Sequence, residues 1–511
     1  MQYIYTDKKI QAALFLLIGF VFALRVWFAA GLNIIPDEAY YWTWSRSLGW
    51  CYYDQPGMIA WIENLGTHFF GSGTPFSLRI PILLLTLGST AVLYLTGVEL
   101  FGSKIRALAA AAFLNIIPVY FAGGLLVVHD APLIFFTLLS GLFLARLITT
   151  GNSACLYFLA FALAAAFYSK FTGIFAWLGV MLFFLASPRF RGWLKSPHFW
   201  LSAALALLLV TPVLWWNYTH DWISFRAVMK LGSKHSSSPG NLMDSVLSYQ
   251  GAQALLLSPL LYGAVLVSLW QGVREWIRGK DDRVLLCLAF SVPVIIYFTY
   301  LSFSTRVQSN WTAFGYPLAL LYMMERAVNP PAFDARRWVH RYGFWKWTAG
   351  TALACSLLLA AHAKFCLIPA GLEAMIPRDR LLQEFKGWPE LAKRARELRA
   401  PGQVVMALRY QIASELEFYL PGQPRVYCLN AFGRGNQYDF TNDYQGLGGK
   451  DVLLVSEYPI PEKLAEKFEK VYPPVKFDVT FRGAVIKSFF IYDCHRFEHE
   501  RGISLEGREG I

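Results

Sequence analysis

The stretch NIIPDEAYYWTWSRSLGWCYYDQPGMIAWIENLG, residues 33–66, places acidic side chains inside a dense group of tryptophans and tyrosines. It directly follows an apolar run that ends near residue 31. Tryptophan and tyrosine concentrate where a membrane meets water, because each ring has an apolar body and a polar tip. The stretch therefore predicts a loop at a membrane surface, in which Asp37, Glu38 and Asp54 lie beside the first membrane span.

Apolar runs recur through the first three quarters of the chain and indicate its fold class. The 511-residue chain is 56% hydrophobic and 16% charged, whereas an average soluble domain carries about 25% charged residues. The first run is too long for the apolar part of a signal peptide, so we interpret it as a retained span. We predict a polytopic α-helical membrane protein with about eleven spans, near 11–31, 80–101, 105–125, 131–149, 154–168, 172–187, 198–216, 250–272, 284–303, 312–325 and 347–366.

The distribution of lysine and arginine between these runs gives an orientation. With a cytoplasmic N-terminus, most cations fall on the cytoplasmic side, at 8–9, 104–106, 189–195, 274–283 and 326–346. Cytoplasmic loops are enriched in these residues, so we predict this orientation. An odd number of spans then places the C-terminal part in the periplasm. The net charge of +12 is mostly a topology signal and gives no indication of nucleic acid binding.

The composition changes after residue 366, which predicts a transmembrane domain, 1–366, followed by a periplasmic α/β domain, 367–511. Short runs rich in β-branched and aromatic residues are typical of strands. They occur in this second domain at 404–408, 425–429, 451–455 and 484–493.

Helices are predicted between these strands, at 411–420 and 461–471. The charged segment 378–403 is predicted to be one amphipathic helix that ends at a Pro-Gly pair. Cys428 and Cys494 both lie in this domain and are candidates for a disulfide.

Every outer loop of the predicted topology carries ionisable or amide side chains, in 31–79, 121–131, 168–172, 216–250 and 303–311. Such groups are costly at membrane depth and indicate a functional site by default. The acids lie in the first two loops and the cations in the last three, all on one face. The candidates are Asp37, Glu38, Asp54 and Gln55 in loop one; His129 and Asp130 in loop two; Lys170 in loop three; His220, Asp221, Arg226, Lys230, Lys234 and His235 in loop four; and Arg306, Gln308 and Asn310 in loop five.

Several of these residues also have an ordinary structural interpretation. Asp37 follows a proline and is a candidate helix N-cap, with Glu38 complementing the helix dipole. Asp130 is an equally good cap for the span that follows it. Lys170 is a candidate for a lysine that extends to the membrane interface. The combination, rather than any single residue, favours a functional site.

The separation of acids from cations suits displacement of a phosphate from a sugar carbon. A carboxylate accepts the proton of an attacking hydroxyl, and cations hold the departing phosphate. A lipid-linked phosphate leaves without protonation, whereas cleavage of a plain glycosidic bond requires an acid as well. One base and one cationic phosphate site are therefore sufficient for a single displacement.

The first outer loop, PDEAYYWTWSRSL followed by YYDQPGMIAWI, resembles that of GT-C glycosyltransferases of the protein O-mannosyltransferase-like branch. This branch includes the lipid A aminoarabinose transferases and the galacturonosyltransferases of lipopolysaccharide. The resemblance continues, in order, through HDAPLIFF, YSKFTG, TPVLWWNYTHDWISFR, LLLSPLL, RVQSNW, GWPELA and ASELEFYLPGQP. It covers nearly the whole chain, and the ordered set is specific although each piece alone is weak.

The resemblance implies a GT-C fold, a polyprenyl-phosphate-linked sugar as donor, and transfer with inversion on the periplasmic face of a bacterial inner membrane. It implies that Asp37 is the catalytic base, with Glu38 as its acidic neighbour, and that Asp130 is the second-loop aspartate of the catalytic site. The expected substrate-binding residues are Tyr40, Tyr41, Asp54, Gln55, His129, Lys170, Arg226, Arg306 and Asn310.

The sequence departs from the family pattern at two positions. Gln55 stands where the family has a basic residue beside the donor phosphate, and Gly57 where a second proline is common. Lys170, Arg226 and Arg306 are therefore the better candidates for contacting the phosphate. Some relatives bind a divalent metal near this loop, for which Asp54, His129 and His220 are the candidate ligands.

We therefore expect a glycosyltransferase that moves a sugar from a polyprenyl phosphate to a hydroxyl of lipid A or the lipopolysaccharide core, with a protein Ser or Thr as the second choice of acceptor. The alternative is a polytopic transporter that uses the same carboxylates for proton coupling. Transporters usually show related halves and broken spans near the midplane. This sequence shows no such halves, and its polar residues cluster at one interface.

Overall fold

The computed structural model describes residues 2–71, 73–233, 242–328, 342–369, 371–432 and 434–498. Lys234, His235 and the cations at 336–341 lie outside these residues. The chain forms two compact units, a membrane unit of Met1–Ala30 and Leu48–Ala360 and a C-terminal unit of Gly31–Ser47 and Ala361–Ile511. The segment Gly31–Ser47 thus groups with the C-terminal unit, whereas the sequence analysis placed it in a loop of a domain covering 1–366.

Helices account for nearly all of the regular structure before residue 366. In chain order they are α1 (Gln2–Gly31), α2 (Pro36–Ser45), α3 (Met58–Phe70), α4 (Pro75–Phe101), α5 (Lys104–Ile116), α6 (Pro118–Gly123), α7 (Asp130–Thr150), α8 (Ala154–Ser169), α9 (Ile174–Ala186), α10 (Pro197–Thr219), α11 (Ile223–Ser233), α12 (Leu242–Leu257), α13 (Pro259–Gly279), α14 (Asp282–Leu301), α15 (Pro317–Val328) and α16 (Tyr342–Phe365). Short 3-10 helices occur at Phe171–Gly173, Arg191–Lys195 and Ser309–Gly315.

Six helices of the described residues are long and apolar enough to cross a membrane, namely α1, α4, α7, α10, α14 and α16. The pair α12 and α13, bent by 104°, adds a seventh span if it crosses as one broken helix. The other predicted apolar runs are also helical but shorter, as α5 with α6, α8, α9 and α15. The polytopic helical class is confirmed, and the number of eleven spans stays a prediction.

A buried arginine stabilises a break between two of these helices. Pro118 separates α5 from α6, so carbonyl groups near the break lose their helical partners. The guanidinium of Arg25, fully buried on α1, donates to the carbonyl oxygens of Asn115 at 2.9 Å and Tyr120 at 3.2 Å. It also donates to Oδ1 of Asn115 at 2.5 Å. These contacts give the buried guanidinium its hydrogen-bond acceptors and give the carbonyl groups at the break a donor, where water is scarce.

The C-terminal unit contains a six-stranded sheet formed by β1 (Val404–Ala407), β2 (Tyr427–Cys428), β3 (Val452–Ser456), β4 (Phe468–Val471), β5 (Val475–Phe481) and β6 (Ala484–Phe497). The strand order is β2-β1-β3-β6-β4, and β5 also pairs with β6. β1 is parallel to β2 and β3, whereas β6 is antiparallel to β3, β4 and β5. Besides α2, this unit contains the helices α17 (Arg380–Phe385), α18 (Trp388–Leu398), α19 (Tyr410–Tyr419), α20 (Tyr438–Thr441) and α21 (Glu462–Ala465). An α/β domain is therefore confirmed.

Two predicted helices of this unit differ from the structure. The segment 378–403 is two helices, because Gly387 takes the left-handed backbone conformation, with φ +94°, between α17 and α18. The segment 461–471 is helical only in α21, and its second half is strand β4. Phe468 lies in the sheet core, so burial overrides the helix propensity of the neighbouring lysines and glutamates.

Cys428 and Cys494 do not pair. Both are buried free thiols, on β2 and β6 respectively. The strands β1 and β3 lie between them, and neighbouring strands are about 4.8 Å apart. Their separation therefore exceeds the roughly 7 Å of Cα distance that a disulfide tolerates.

Candidate active site

Asp37 lies in the first turn of α2, in the C-terminal unit. Ile35 is the N-cap residue, with extended backbone, and Pro36 begins the helix. The carboxylate of the fully buried Glu38 accepts a hydrogen bond from the backbone N–H of Ile35 at 3.1 Å. This contact is one half of a capping box and stabilises the start of the helix. Asp37 is thus not the cap, and its side chain is exposed.

The two tyrosines that follow Asp37 have different environments. The hydroxyl of the buried Tyr40 accepts a hydrogen bond from the backbone N–H of Gln437 at 2.6 Å, and its ring lies 4.5 Å from the ring of Tyr410. Tyr41 is half-buried and, four residues after Asp37, lies on the same side of the helix. Tyr40 therefore fixes α2 within its unit, whereas Tyr41 stays on the side of the exposed carboxylate.

The loop between Leu48 and Gly57, in the membrane unit, is a tight turn that carries Asp54 and Gln55. The N–H of Tyr52 donates to the carbonyl oxygen of Gln55 at 3.0 Å. The hydroxyl of Ser224, on α11, donates to the carbonyl oxygen of Tyr52 at 2.6 Å. The thiol of Cys51 is enclosed by the same turn, and burial raises its pKa to about 11. The thiol is therefore a packing group rather than a nucleophile at neutral pH.

The departure at Gly57 has a steric cause. The N–H of Gly57 donates to the carbonyl oxygen of Trp50 at 3.1 Å, which closes the turn. A Cβ atom at this position would lie 2.5 Å from the carbonyl oxygen of Gly49. Glycine permits this close approach, and a proline here would also lose the N–H that closes the turn.

The departure at Gln55 also has a visible consequence. Its Oε1 accepts a hydrogen bond from the backbone N–H of Phe171 at 3.2 Å. Phe171 begins the 3-10 helix that directly follows Lys170. Gln55 therefore joins the first outer loop to the backbone beside Lys170, which is a contact that a lysine or arginine side chain cannot make because it has no acceptor.

Asp130 and Lys170 form a buried ion pair in the membrane unit. The Nζ of Lys170 donates to Oδ1 of Asp130 at 2.9 Å, and the two side chains are 10% and 9% exposed. The Nδ2 of Asn310 donates to the other carboxylate oxygen at 2.8 Å. Asp130 begins α7 and Lys170 directly follows α8, so the pair lies at the ends of two apolar helices. With Gln55, this network joins residues of four predicted outer loops.

His129 precedes the acid of this pair and is also buried. Burial, with a smaller contribution from the Lys170 ammonium, lowers the pKa of His129 well below its usual range. The imidazole is therefore neutral at physiological pH. It does not add a cation to the network.

The residues proposed as metal ligands do not fit a common site. Among the residues that the structure describes, no group of three or more His, Cys, Asp or Glu side chains is arranged to hold a metal ion. The ring of His220 stacks on Trp216 at 3.9 Å, and its Nδ1 lies 2.8 Å from the Trp216 carbonyl oxygen. Asp54 is buried in the turn described above. We derive no catalytic step through a metal.

Arg226 and Arg306, the other two expected phosphate contacts, are exposed. Arg226 lies on α11, and Arg306 precedes the 3-10 helix that contains Asn310. Within the described ranges, neither guanidinium takes part in an ion pair. Their side chains therefore differ from that of Lys170, which is already paired.

Glu63 is a buried acid that the sequence analysis did not select. It lies on α3 and is fully buried, together with Ile59, Ala60 and Gly66. The spacing of these positions is that of one helix face, which was the signal that could have identified it. A carboxylate on the apolar face of a helix is unusual and merits selection.

Comparisons with known proteins agree with these motifs. The family described as dolichyl-phosphate-mannose-protein mannosyltransferase matches residues 54–216. The lipid A galacturonosyltransferase RgtD of Rhizobium johnstonii is 24% identical over 439 residues, which are 84% of this chain and 87% of that protein.

Solved structures show the same fold. ArnT from Cupriavidus metallidurans, in the apo state, aligns with a TM-score of 0.63 at 13% identity, covering 94% of this chain and 98% of that one. The same protein bound to undecaprenyl phosphate aligns with the same score. The oligosaccharyltransferase AglB of Archaeoglobus fulgidus aligns with a TM-score of 0.52 at 12% identity, covering 89% and 70% of the two chains.

The family match, the curated relative and the shared fold agree with the ordered motifs of the outer loops. The chain therefore has the GT-C fold of these solved structures, and its sequence is similar to glycosyltransferases of the protein O-mannosyltransferase-like branch.

Proposed function

We propose that this enzyme transfers a sugar from a polyprenyl phosphate to a hydroxyl of lipid A or the lipopolysaccharide core, with inversion, on the periplasmic face of the inner membrane. The coarser part, a membrane glycosyltransferase, follows from the comparisons. The acceptor is supported by the lipid A galacturonosyltransferase, which aligns over 84% of this chain. A protein hydroxyl is the second choice of acceptor.

The observation that carries the proposal is the network of Asp130, Lys170 and Asn310. A buried ion pair at the ends of apolar helices is costly unless all of its hydrogen-bonding groups have partners, either in the protein or in a bound ligand. The ammonium of Lys170 has three N–H donors, and the bond to Asp130 uses one of them. The remaining donors suit a phosphate oxygen, so the pair supports a binding site for the phosphate of the donor lipid.

The reaction needs one base and one anion site. We assign the base to Asp37, whose carboxylate takes the proton of the acceptor hydroxyl as its oxygen bonds to the anomeric carbon. The bond from that carbon to the phosphate oxygen breaks at the same step, and the electron pair leaves with the polyprenyl phosphate. Attack opposite the leaving group inverts the anomeric carbon. Lys170, Arg226 and Arg306 stabilise the charge that develops on the phosphate.

A transfer assay on the full-length protein tests this function. Purified protein in detergent is incubated with undecaprenyl phosphate carrying labelled galacturonic acid, aminoarabinose or mannose, each with and without lipid A. We expect label to move from the prenyl lipid to lipid A for one sugar, and NMR of the product to show the inverted anomer. Label that stays on the prenyl lipid with every sugar and with both lipid A and peptide acceptors would refute the function.

The transporter alternative gains no support from the comparisons reported above. It predicts movement of protons across sealed proteoliposomes without transfer of sugar to an acceptor. Measuring the internal pH of proteoliposomes in the presence of donor lipid separates the two functions.

A further inference from the structure

We propose that the Arg46–Glu417 ion pair is a positioning contact that sets the direction of the Asp37 carboxylate. This inference rests on the proposed function, because it assumes that Asp37 is the base. It concerns residues of the C-terminal unit to which neither the motifs nor the comparisons assign a role.

The helix α2 is short and is held along its length by the same unit. At its start, the N–H of Ile34 donates to the hydroxyl of Tyr419 at 3.1 Å. In the middle, the Tyr40 hydroxyl accepts the N–H of Gln437, as described above. At its end, the guanidinium of Arg46 donates to Oε1 of Glu417 at 2.6 Å. Tyr419 and Glu417 both belong to α19, so one helix anchors both ends of the other.

The contacts that anchor α2 leave the proposed base exposed. Within the C-terminal unit, Trp42 contacts the ring of Phe418 at 5.2 Å, and Tyr40 contacts Tyr410, so two aromatic side chains from different sides of α2 pack on α19. Asp37 is exposed and precedes Arg46 by about 13 Å of helix, at 1.5 Å per residue. A rotation or tilt of α2 therefore moves the carboxylate directly. Displacement of a catalytic group by about 1 Å costs up to about 10²-fold in rate.

The carboxylate of Glu417 is buried and held in place for this ion pair. Its side chain is 6% exposed, against 40% for Arg46. Its second oxygen accepts a hydrogen bond from the N–H of Val426 at 3.3 Å, which fixes the carboxylate to the start of the β2 region. Ring contact between Arg46 and Trp42, at 5.0 Å, fixes the guanidinium on the α2 side. The pair is therefore constrained at both ends, as a positioning contact requires.

The test compares Arg46→Gln, Glu417→Gln, their combination and the conservative Arg46→Lys in the transfer assay. Each Gln variant breaks the ion pair between residues 46 and 417, so we expect either one to lower kcat by about 10- to 100-fold. The KM for the donor lipid should change less than about twofold. The combination should be no worse than the poorer single variant, since both remove one contact. Arg46→Lys should recover most of the turnover.

The matched control is Glu469→Gln, which removes the exposed ion pair between Glu469 and Arg496 elsewhere in the same unit. We expect it to keep normal kcat and KM. Three results would overturn the proposal. They are an unchanged kcat in both Gln variants, a rise in the KM for the donor lipid as large as the fall in kcat, or losses of kcat that add in the combined variant. If Glu417→Gln does not fold, the exposed Arg46 variants decide the question.

Asp37→Asn in the same assay separates this inference from the function on which it rests. An inactive Asp37→Asn beside a fully active Arg46→Gln means that the positioning contact is wrong and the base assignment stands. An active Asp37→Asn means that the base assignment is wrong, and the inference fails with it.

Discussion

At the level of single residues, Asp37 is the side chain on which the proposed chemistry depends. Its position in the first turn of α2 and its exposure leave the carboxylate accessible. Asp37→Asn preserves size and removes the charge, so turnover should fall by about 10²- to 10⁴-fold, the usual contribution of a positioned base. Asp37→Glu should also lose activity, because the longer side chain displaces the carboxylate. Donor binding, measured with labelled donor lipid, should stay near normal.

Asp130→Asn is the comparison for this prediction. Asp130 already accepts hydrogen bonds from Lys170 and Asn310, so we expect its replacement to affect the phosphate site rather than proton transfer. Near-normal turnover of Asp37→Asn together with an inactive Asp130→Asn that still binds the donor would place the base in the second loop instead.

The cations make a second prediction at this level. Lys170→Gln, Arg226→Gln and Arg306→Gln should each weaken donor binding by roughly 1.5–3 kcal/mol, the contribution of a charge-assisted hydrogen bond. Only Lys170→Gln should also lower the unfolding temperature, because it leaves Asp130 buried without its cation. Adding Asp130→Asn to Lys170→Gln should restore stability but not donor affinity.

Titration of labelled donor and thermal unfolding in detergent measure both quantities. The exposed Arg226 and Arg306 variants serve as stability controls. Unchanged donor affinity in all three single variants would exclude a phosphate site at these residues.

At the level of elements, the break between α17 and α18 depends on one glycine. Gly387 has φ +94°, and a Cβ there would lie 2.9 Å from Cγ1 of Val479. Gly387→Ala should therefore lower the free energy of unfolding of the C-terminal unit by about 2–4 kcal/mol, from backbone strain and overpacking together. Gly402→Ala is the matched control, because Gly402 has φ +77° and open space around its Cα.

Gly402→Ala should lower the free energy of unfolding by about 1–2 kcal/mol, from backbone strain alone. Thermal unfolding of the full-length variants, followed by far-ultraviolet circular dichroism, makes the comparison. Equal losses at the two glycines would mean that the contact with Val479 adds nothing.

A lysine on the sheet gives a pH-dependent prediction. Burial lowers the pKa of Lys487 from 10.5 to about 8, and its Nζ lies 3.3 Å from the centre of the Trp388 ring. Between these pH values the unfolded chain binds a proton that the folded unit lacks, so stability should rise as pH rises from about 8 to 10.5. Lys487→Met should remove this rise. The exposed Lys476→Met is the control and should retain it.

Unfolding temperatures measured from pH 7 to 10.5 test whether stability rises with pH. The effect is at most about 3.4 kcal/mol, from a pKa difference of about 2.5 at about 1.36 kcal/mol per unit. A wild-type protein whose stability is flat or falls across this range would contradict the prediction.

Local patterns predicted elements well and contacts poorly. The apolar runs, and strands such as 484–493, can be recognised in the sequence because apolar residues recur along one face or along the whole segment. Strand β5 was missed although Val475, Phe477, Val479 and Phe481 alternate with polar residues, which is a period-2 signal. The bond from Gln55 to Phe171 joins residues 116 positions apart, and no local pattern in one sequence indicates such a pairing.

At the scale of the whole molecule, the candidate residues are divided between the two compact units. Asp37, Glu38, Tyr40 and Tyr41 lie in the C-terminal unit, and the Asp130–Lys170 network lies in the membrane unit. The sequence predicts membrane spans and a sheet, but its change of composition at residue 366 predicts a boundary that leaves the whole first loop in the membrane domain. The reason is physical: α2 packs on α19, about 375 residues later, through side chains that resemble an ordinary interfacial aromatic group.

The location of the C-terminal unit is the last prediction. An even number of spans would return the chain to the cytoplasm, so the six long helices alone would predict a cytoplasmic C-terminus. The shorter helices decide the result: α8 has 16 residues and extends about 24 Å, somewhat less than the hydrocarbon thickness. Local thinning of the bilayer makes such helices viable spans. With α5 to α6, α8, α9, α12 to α13 and α15 all crossing, the number is odd and the unit is periplasmic. Alkaline phosphatase fused after Ile511 should therefore be active and a green fluorescent protein fused there dark. Fusions after Lys280, in a loop that this topology places in the cytoplasm, should behave in the opposite way. Fluorescence without phosphatase activity at Ile511 would show that at least one of these short helices does not cross.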